Sequence, residues 1–280
     1  MIQEIHPHRF NNKYLPERKI TAADFVLFYQ GNTLLLKQSG SGYELPRKSD
    51  FSNFPETPEP IFLFTLDEAP CFLLQNDPGA CDASLVFVEL GFFRTTRQQE
   101  IAWVSLAGRQ LANWYAQRRF CGTCGEPTIH KSDERALLCP KCAQVFYPVI
   151  APAVIVAIRC NDKILLARGS EAPGVWYSLL AGYVDAGESL EEALVREVKE
   201  EVGIAIHNIR YYSSQPWPPS GSIMIGFTAE ADENQPLEVD HQEIAEAAWF
   251  RRGNLPRHPP ALSIAGEMIE KFEQGILDYA

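Results

Sequence analysis

Residues 182–204 read GYVDAGESLEEALVREVKEEVGI, and this stretch decides the fold of the C-terminal half. Ser189 followed by Glu192 is the signature of a capping box, in which each side chain satisfies the other residue's free backbone N–H at a helix start. Gly203 is a natural helix stop. Between these ends Leu190, Leu194, Val198 and Val202 recur every fourth residue and form a core-facing stripe. Glu197, Glu200 and Glu201 stand at i, i+3 and i+4, so they project from one helical face. A solvated acidic face is the ordinary reading of such a charge run. Two costs count against it here. Like charges at this spacing repel, with Lys199 the one cation among the last five helical residues, and the helix dipole disfavours anions near its C-terminus. Both costs are offset if the carboxylates act together on a hard cation, Mg²⁺ or Mn²⁺, which can bridge to phosphate oxygens.

Around this segment lie 280 residues, 46% hydrophobic and 22% charged, with a formal net charge of −11. Such a chain has core material for about two domains. Its charge argues against a broad electrostatic grip on nucleic acid, but not against a small anion neutralised locally by a metal. The longest apolar run, Val149 to Ile158, contains Pro152 and is too short to cross a bilayer, so no membrane partner is expected. The first residues, MIQEIHPHRF, lack a basic start with an apolar core, so no secretory signal is expected either. Four of the seven cysteines fall in two C-x2-C pairs, which favours metal binding in a reducing cytoplasm over disulfides.

Residues 1–117 read as a β-rich module. Phe25 to Tyr29 and Leu34 to Gln38 flank Gly31-Asn32 as a hairpin, and apolar runs follow at Ile61 to Leu66, Cys71 to Gln75 and Leu85 to Phe93. Helical spacing covers Leu106 to Arg118. A second hairpin starts at Ala153 and turns at Asn161-Asp162; Ser263 to Leu277 reads as an amphipathic helix. VLFYQGNTLLLKQ (Val26 to Gln38) aligns without gaps against VAIRCNDKILLAR (Val156 to Arg168). Two related modules, or two unrelated hairpins sharing ordinary turn residues, account for this equally well.

Cys121, Cys124, Cys139 and Cys142 form C-x2-C-x14-C-x2-C within residues 118–148. Two tight turns of this kind, eased by Gly122 and Gly125, place four thiolates around one Zn²⁺. Four thiolates leave no open coordination position, so the metal is structural, tying a segment too small for its own core. A zinc ribbon can also read nucleic acid, but the intervening segment is no basic patch: Lys131, Arg135 and His130 face Glu126, Asp133 and Glu134. Cys71, Cys81 and Cys160 stand alone in apolar runs and read as core residues.

The quoted stretch resembles the Nudix box, G-x5-E-x7-R-E-U-x-E-E-x-G-U with U aliphatic, at every defined position: Gly182, Glu188, Arg196, Glu197, Val198, Glu200, Glu201, Gly203 and Ile204. The resemblance implies an α/β fold, a Nudix α/β/α sandwich over residues 149–280, preceded by the zinc ribbon and a β-rich module that is itself Nudix-like and degenerate. It implies a hydrolase of phosphoanhydrides in which Glu197, Glu200 and Glu201 ligate the catalytic Mg²⁺ or Mn²⁺. Glu188 is expected to pair with Arg196 and orient the cluster, and Glu201 to act as base toward the attacking water or to anchor the metal beside it.

Beyond the box, Ser214 to Ser222 reads SQPWPPSGS and is similar to the SQPWPFPxS array of the NADH pyrophosphatase subfamily, with Pro219 where the array has Phe and Ser220 where it has Pro. Its prolines are read as stiffening a loop and Trp217 as a flat face for a substrate. By this resemblance Gln215, Pro216, Trp217, Pro218, Pro219, Ser220, Gly221 and Ser222 contact substrate, and Tyr183 stacks on a base. Ala181 presents its carbonyl to a metal, and Glu243 is a further metal ligand. Glu134 and Tyr147 border the site across a homodimer, and Ala265 makes a weaker contact. The substrate implied is NADH or NAD⁺, split to AMP and nicotinamide mononucleotide, with removal of NAD caps from RNA 5′ ends ranked second. Another Nudix substrate (ADP-ribose, a diadenosine polyphosphate, FAD) and a non-catalytic nucleotide sensor are the rival readings.

Overall fold

A computed structural model describes residues 1–55, 57–79, 83–170, 176–239 and 241–277. Its contacts divide it into two compact units, residues 2–149 and residues 150–280 together with Met1.

The first unit contains β1 (Phe10–Asn11), β2 (Phe25–Leu27), β3 (Tyr29–Gln30), β4 (Thr33–Ser39), β5 (Gly42–Glu44), β6 (Ile61–Leu66), β7 (Ala69–Leu73), β8 (Leu85–Glu89), α1 (Gln99–Gln117), β9 (Ile129–His130), β10 (Leu137–Leu138) and β11 (Val145–Phe146). One sheet runs β1-β6-β7-β2, a second β3-β4-β5 with β8 on β4, and the ribbon is the meander β11-β10-β9. Two expectations are corrected. Phe25 to Tyr29 is not one strand of a hairpin: β2 pairs in parallel with β7, whereas β3 turns into antiparallel pairing with β4. The alternation of apolar residues is identical whichever sheet receives them, so the switch leaves no local signal. The helix starts at Gln99, seven residues before the expected Leu106. Six consecutive residues, Ile101 to Leu106, are buried there, and a turn buried all round shows no helical period.

Cys71 is a core residue as expected, and burial pushes its thiol up to about 12. Cys160 is half-buried at a strand end, and Cys81 lies outside the described residues.

The second unit contains β12 (Ala151–Cys160), β13 (Lys163–Gly169), β14 (Leu180–Tyr183), α2 (Leu190–Val202), β15 (His207–Trp217), β16 (Ser222–Glu230), β17 (Ile244–Arg251) and α3 (Ile264–Gln274). The sheet order is β15-β16-β12-β13-β17, with β14 also on β12. Alternation along the central strands assigns the two layers. Val154, Val156, Ile158 and Leu165 pack with Ala193, Leu194, Val198 and Val202 of α2. Their neighbours Ile155, Ala157, Ile164 and Leu166 pack with Ile264, Met268, Ile269 and Phe272 of α3. A sheet buried on both faces between two helices is the α/β/α sandwich. Asn161, with φ +54°, makes the turn of the β12–β13 hairpin.

Residues 214–222 are not a proline-stiffened loop. Ser214 to Trp217 finish β15, Ser222 opens β16, and Trp217 pairs directly with Ser222. Pro216 is tolerated in this strand because β15 is at the sheet edge, where a missing N–H breaks no ladder.

Candidate active site

The capping box that starts α2 is formed: Ser189 N–H donates to Glu192 Oε2 at 2.8 Å, and Glu192 N–H donates to Ser189 Oγ at 3.2 Å. Gly203, at φ +77°, closes the other end. Leu194, Val198 and Val202 are buried under the sheet, which leaves the acidic face along the border between core and solvent. The three glutamates therefore differ. Glu201 is buried at 6% exposure, Glu197 is mostly covered, and Glu200 is exposed.

Arg196 organises this face. Its Nε and Nη2 donate to Glu188 Oε1 and Oε2 at 2.6 and 2.8 Å, a bidentate pair. Its Nη1 donates to Glu197 Oε1 at 2.9 Å and Glu200 Oε2 at 3.0 Å, and Nη2 also reaches the Tyr183 carbonyl at 3.0 Å. The guanidinium beside Glu188, aided by the Asp185 N–H, holds the Glu188 carboxyl down at about 2. In return Glu188, then Glu197, raises the basicity of Arg196. One arginine thus ties the box loop, α2 and the end of β14 together.

An open cleft of about 560 Å³ gathers Ala181, Tyr183, Arg196, Glu197, Glu200, Glu201, Trp217, Ser220 and Glu243 from the expected site, from four separate segments of chain. Ala153, Asp185 and Met224 line it as well and were not foreseen. Ala153 and Met224 are register partners on β12 and β16, so topology brings them there and no local chemistry marks them. Asp185 falls on an undefined position of the box; its carboxylate was the one available clue. Glu188 supports the cleft through Arg196.

Other expected contacts lie elsewhere. Gln215 is fully buried; its Nε2 donates to Leu262 O at 2.9 Å and its Oε1 accepts from Ile264 N–H at 2.7 Å, so its amide holds the start of α3. Ala265 is buried in the α3 core and Pro218 is buried in the hairpin turn. Ser222 is buried behind Ser220. Pro216, Pro219 and Gly221 are not among the cleft-lining residues. Glu134 and Tyr147 belong to the first unit, where Tyr147 Oη donates to Glu134 Oε1 at 3.0 Å.

The donor set fits a hard divalent cation. Four carboxylates, Glu197, Glu200, Glu201 and Glu243, share the cleft with the Ala181 backbone. The backbone is shaped around one of them: a Cβ on Gly182 would fall 1.9 Å from the Glu197 carboxyl carbon. The cysteines are gathered more tightly. Among the described residues they alone form a group whose donor atoms all lie within 4.8 Å of one another.

In the ribbon the two Cys turns repeat one geometry. Gly125 N–H donates to Cys121 O at 2.9 Å, and Ala143 N–H to Cys139 O at 3.0 Å. Gly125 and Ala143 both adopt positive φ, at +75° and +61°; Gly122 does not, which corrects the expectation of a strained glycine there. The Sγ atoms of Cys121–Cys142, Cys124–Cys139 and Cys124–Cys142 lie 3.5, 3.4 and 3.6 Å apart. A tetrahedron with Zn–S bonds near 2.3 Å has edges of about 3.8 Å, so the thiols fit structural zinc.

Known proteins match along most of the chain. Residues 149–272 match the NUDIX domain, residues 116–147 the NADH pyrophosphatase zinc ribbon domain, and residues 23–114 the NADH pyrophosphatase-like rudimentary NUDIX domain. The last match resolves the paired hairpins in favour of two related modules. An NAD-capped RNA hydrolase NudC of Citrobacter koseri is 44% identical over 184 residues, covering 65% of this chain and 71% of that protein. NudC of Salmonella typhimurium matches with the same identity and coverage. A crystal structure of a Nudix hydrolase from Nitrosomonas europaea aligns with a TM-score of 0.48 at 22% identity, covering 56% of this chain and 90% of that one. The three domain matches and the NudC relatives together place the chain in the NADH pyrophosphatase subfamily of the Nudix hydrolases.

Proposed function

We propose that the chain hydrolyses the pyrophosphate of NADH and NAD⁺ to AMP and nicotinamide mononucleotide, reduced from NADH and oxidised from NAD⁺, and that the same cleft removes NAD caps from RNA 5′ ends. The observation that carries this reading is the cleft itself, where the carboxylates of α2 face two aromatic rings, Tyr183 and Trp217. It is supported by the 44% identity to relatives named as NAD-capped RNA hydrolases.

Glu197, Glu200, Glu201 and Glu243, with the Ala181 carbonyl, would hold Mg²⁺ or Mn²⁺. Bound there, the cation supplies positive charge that neutralises the diphosphate and acidifies water. The residues do the rest. Arg196, fixed by Glu188, keeps Glu197 and Glu200 in place. Tyr183, half-exposed beside the carboxylates, stacks on a base. Glu201 takes the proton of the water whose oxygen bonds to phosphorus as the bridging P–O bond breaks. Its burial keeps competing solvent away from that carboxylate.

The chain is taken as three segments, residues 1–117, 118–148 and 149–280, acting as a homodimer in the cytoplasm, where the four paired thiols stay reduced for zinc. Glu134 and Tyr147 are then substrate contacts supplied through that dimer.

The test is a turnover panel of NADH, NAD⁺, ADP-ribose, FAD, diadenosine polyphosphates and NAD-capped RNA, with Mg²⁺ and Mn²⁺ compared and products resolved by chromatography. AMP and nicotinamide mononucleotide from the dinucleotides, at higher kcat/KM than for the other small molecules, is the expected result. Preference for ADP-ribose or FAD would overturn it.

A further inference from the structure

The turn between β15 and β16 carries a residue that departs from the subfamily array, Ser220 in place of Pro, and this residue lines the cleft with Trp217 and Met224. Its hydroxyl is not loose. Ser220 Oγ lies 2.8 Å from Ser222 Oγ, and Ser222 is 2% exposed on the first residue of β16. Ser222 is also the register partner of Trp217, so the hydroxyl that holds Ser220 and the indole stand on the same rung of the sheet. Gly221 N–H closes the turn onto Pro218 O at 3.1 Å.

The chemistry of that pair limits what Ser220 can recognise. A hydroxyl has one proton and two lone pairs. If Ser222 donates to Ser220, Ser220 keeps its own proton and one lone pair. If Ser220 donates to Ser222, it keeps two lone pairs; Ser222 is then free to point its proton at Met224 Sδ, 3.8 Å away. In both arrangements Ser220 can accept an N–H, but in only one can it donate. A group that offers an N–H, such as a carboxamide or a ring amino group, is satisfied either way. A carboxylate, which offers no proton, is satisfied only in the first.

We propose that Ser220 is a specificity-determining residue that accepts the N–H of an amide or amino substituent on a base stacked in this cleft, so that the enzyme selects amide- or amine-bearing dinucleotides over their acid or oxo analogues. The proposal rests on the dinucleotide reading above and adds to it the atom that reads the base.

The experiment compares kcat and KM of the full-length enzyme and its Ser220→Ala and Ser220→Thr variants. The substrates are NAD⁺, nicotinic acid adenine dinucleotide, nicotinamide hypoxanthine dinucleotide and ADP-ribose. A neutral hydrogen bond to substrate predicts that Ser220→Ala lowers kcat/KM for NAD⁺ about five- to tenfold, mainly through KM. It should also shrink the preference for NAD⁺ over one analogue by a similar factor, while Ser220→Thr, which keeps the hydroxyl, retains that preference. Loss of preference against the nicotinic acid analogue identifies the carboxamide as the group read; loss against the hypoxanthine analogue identifies the adenine amine. A serine that only braces the turn would change all four substrates by one common factor, and that result overturns the proposal. Failure of the unaltered enzyme to split any of the dinucleotides would instead refute the functional reading on which it rests.

Discussion

The carboxylate of Glu197 occupies the space that a side chain at Gly182 would fill: a Cβ there would lie 1.9 Å from Glu197 Cδ and 2.2 Å from its Oε1. The first residue of the box and the first of its three helical glutamates are therefore one packing unit, joined across β14 and α2. Gly182→Ala should displace the Glu197 carboxylate while leaving the fold in place. A shift of about 1 Å in a positioning group costs on the order of 10²-fold in rate. Turnover should fall by roughly that factor with an unchanged far-UV spectrum, and kinetics of purified Gly182→Ala check it.

The bidentate Glu188–Arg196 pair makes an acid-sensitive contribution to stability. Its folded carboxyl is held at about 2, against an ordinary value of 4.5. For a depressed carboxyl the contribution is complete above the unfolded value and is lost as pH falls from 4.5 toward 2. Melting temperature should therefore decline across that window, and the decline should be shallower in Glu188→Gln. Parallel Tm-against-pH curves for the two proteins would count against this pairing.

Sequence pattern carried the catalytic unit well because its information is local. The box encodes a cap, a stripe and a charged face within 23 residues, and α2 forms between Ser189 and Gly203 as its caps dictate. The four cysteines were equally legible, since metal-ligand spacing is a local property. The long-range facts were not. Met224 and Ala153 meet in the cleft only because β16 pairs in parallel with β12. Gln215 carries an array position, yet its amide is bonded to Leu262 and Ile264, forty-seven and forty-nine residues on. In the first unit, β2 and β3 part into different sheets across Phe28, a choice made by β7 and β4 and by nothing in the residues between them.

Leu194 is 1% exposed and packs α2 onto Val154 and Val156. Leu194→Ala removes buried methyl groups and leaves a cavity under the acidic face. A loss of about 2–5 kcal/mol is expected, read from denaturant unfolding of the variant against the parent. A loss well under that range would mean that this layer is not packed as described.

Zinc should support the ribbon independently of catalysis. Removal of the metal by a strong chelator, or Cys139→Ser, should lower the melting temperature of the segment spanning Cys121 to Cys142. Hydrogen exchange should rise first at the turn amides of Gly125 and Ala143, which bond to Cys121 and Cys139. Unchanged exchange at both amides after verified zinc loss would contradict a structural role.

The central claim is that the carboxylates of α2 gather a divalent ion and that Glu201 serves the attacking water. Its most direct test is NADH hydrolysis measured with and without Mn²⁺ for the parent enzyme and Glu201→Gln. The account predicts AMP and reduced nicotinamide mononucleotide only when metal is present, and a loss of on the order of 10²–10⁴-fold in the variant. Metal-independent cleavage, or near-normal turnover by folded Glu201→Gln, would contradict it.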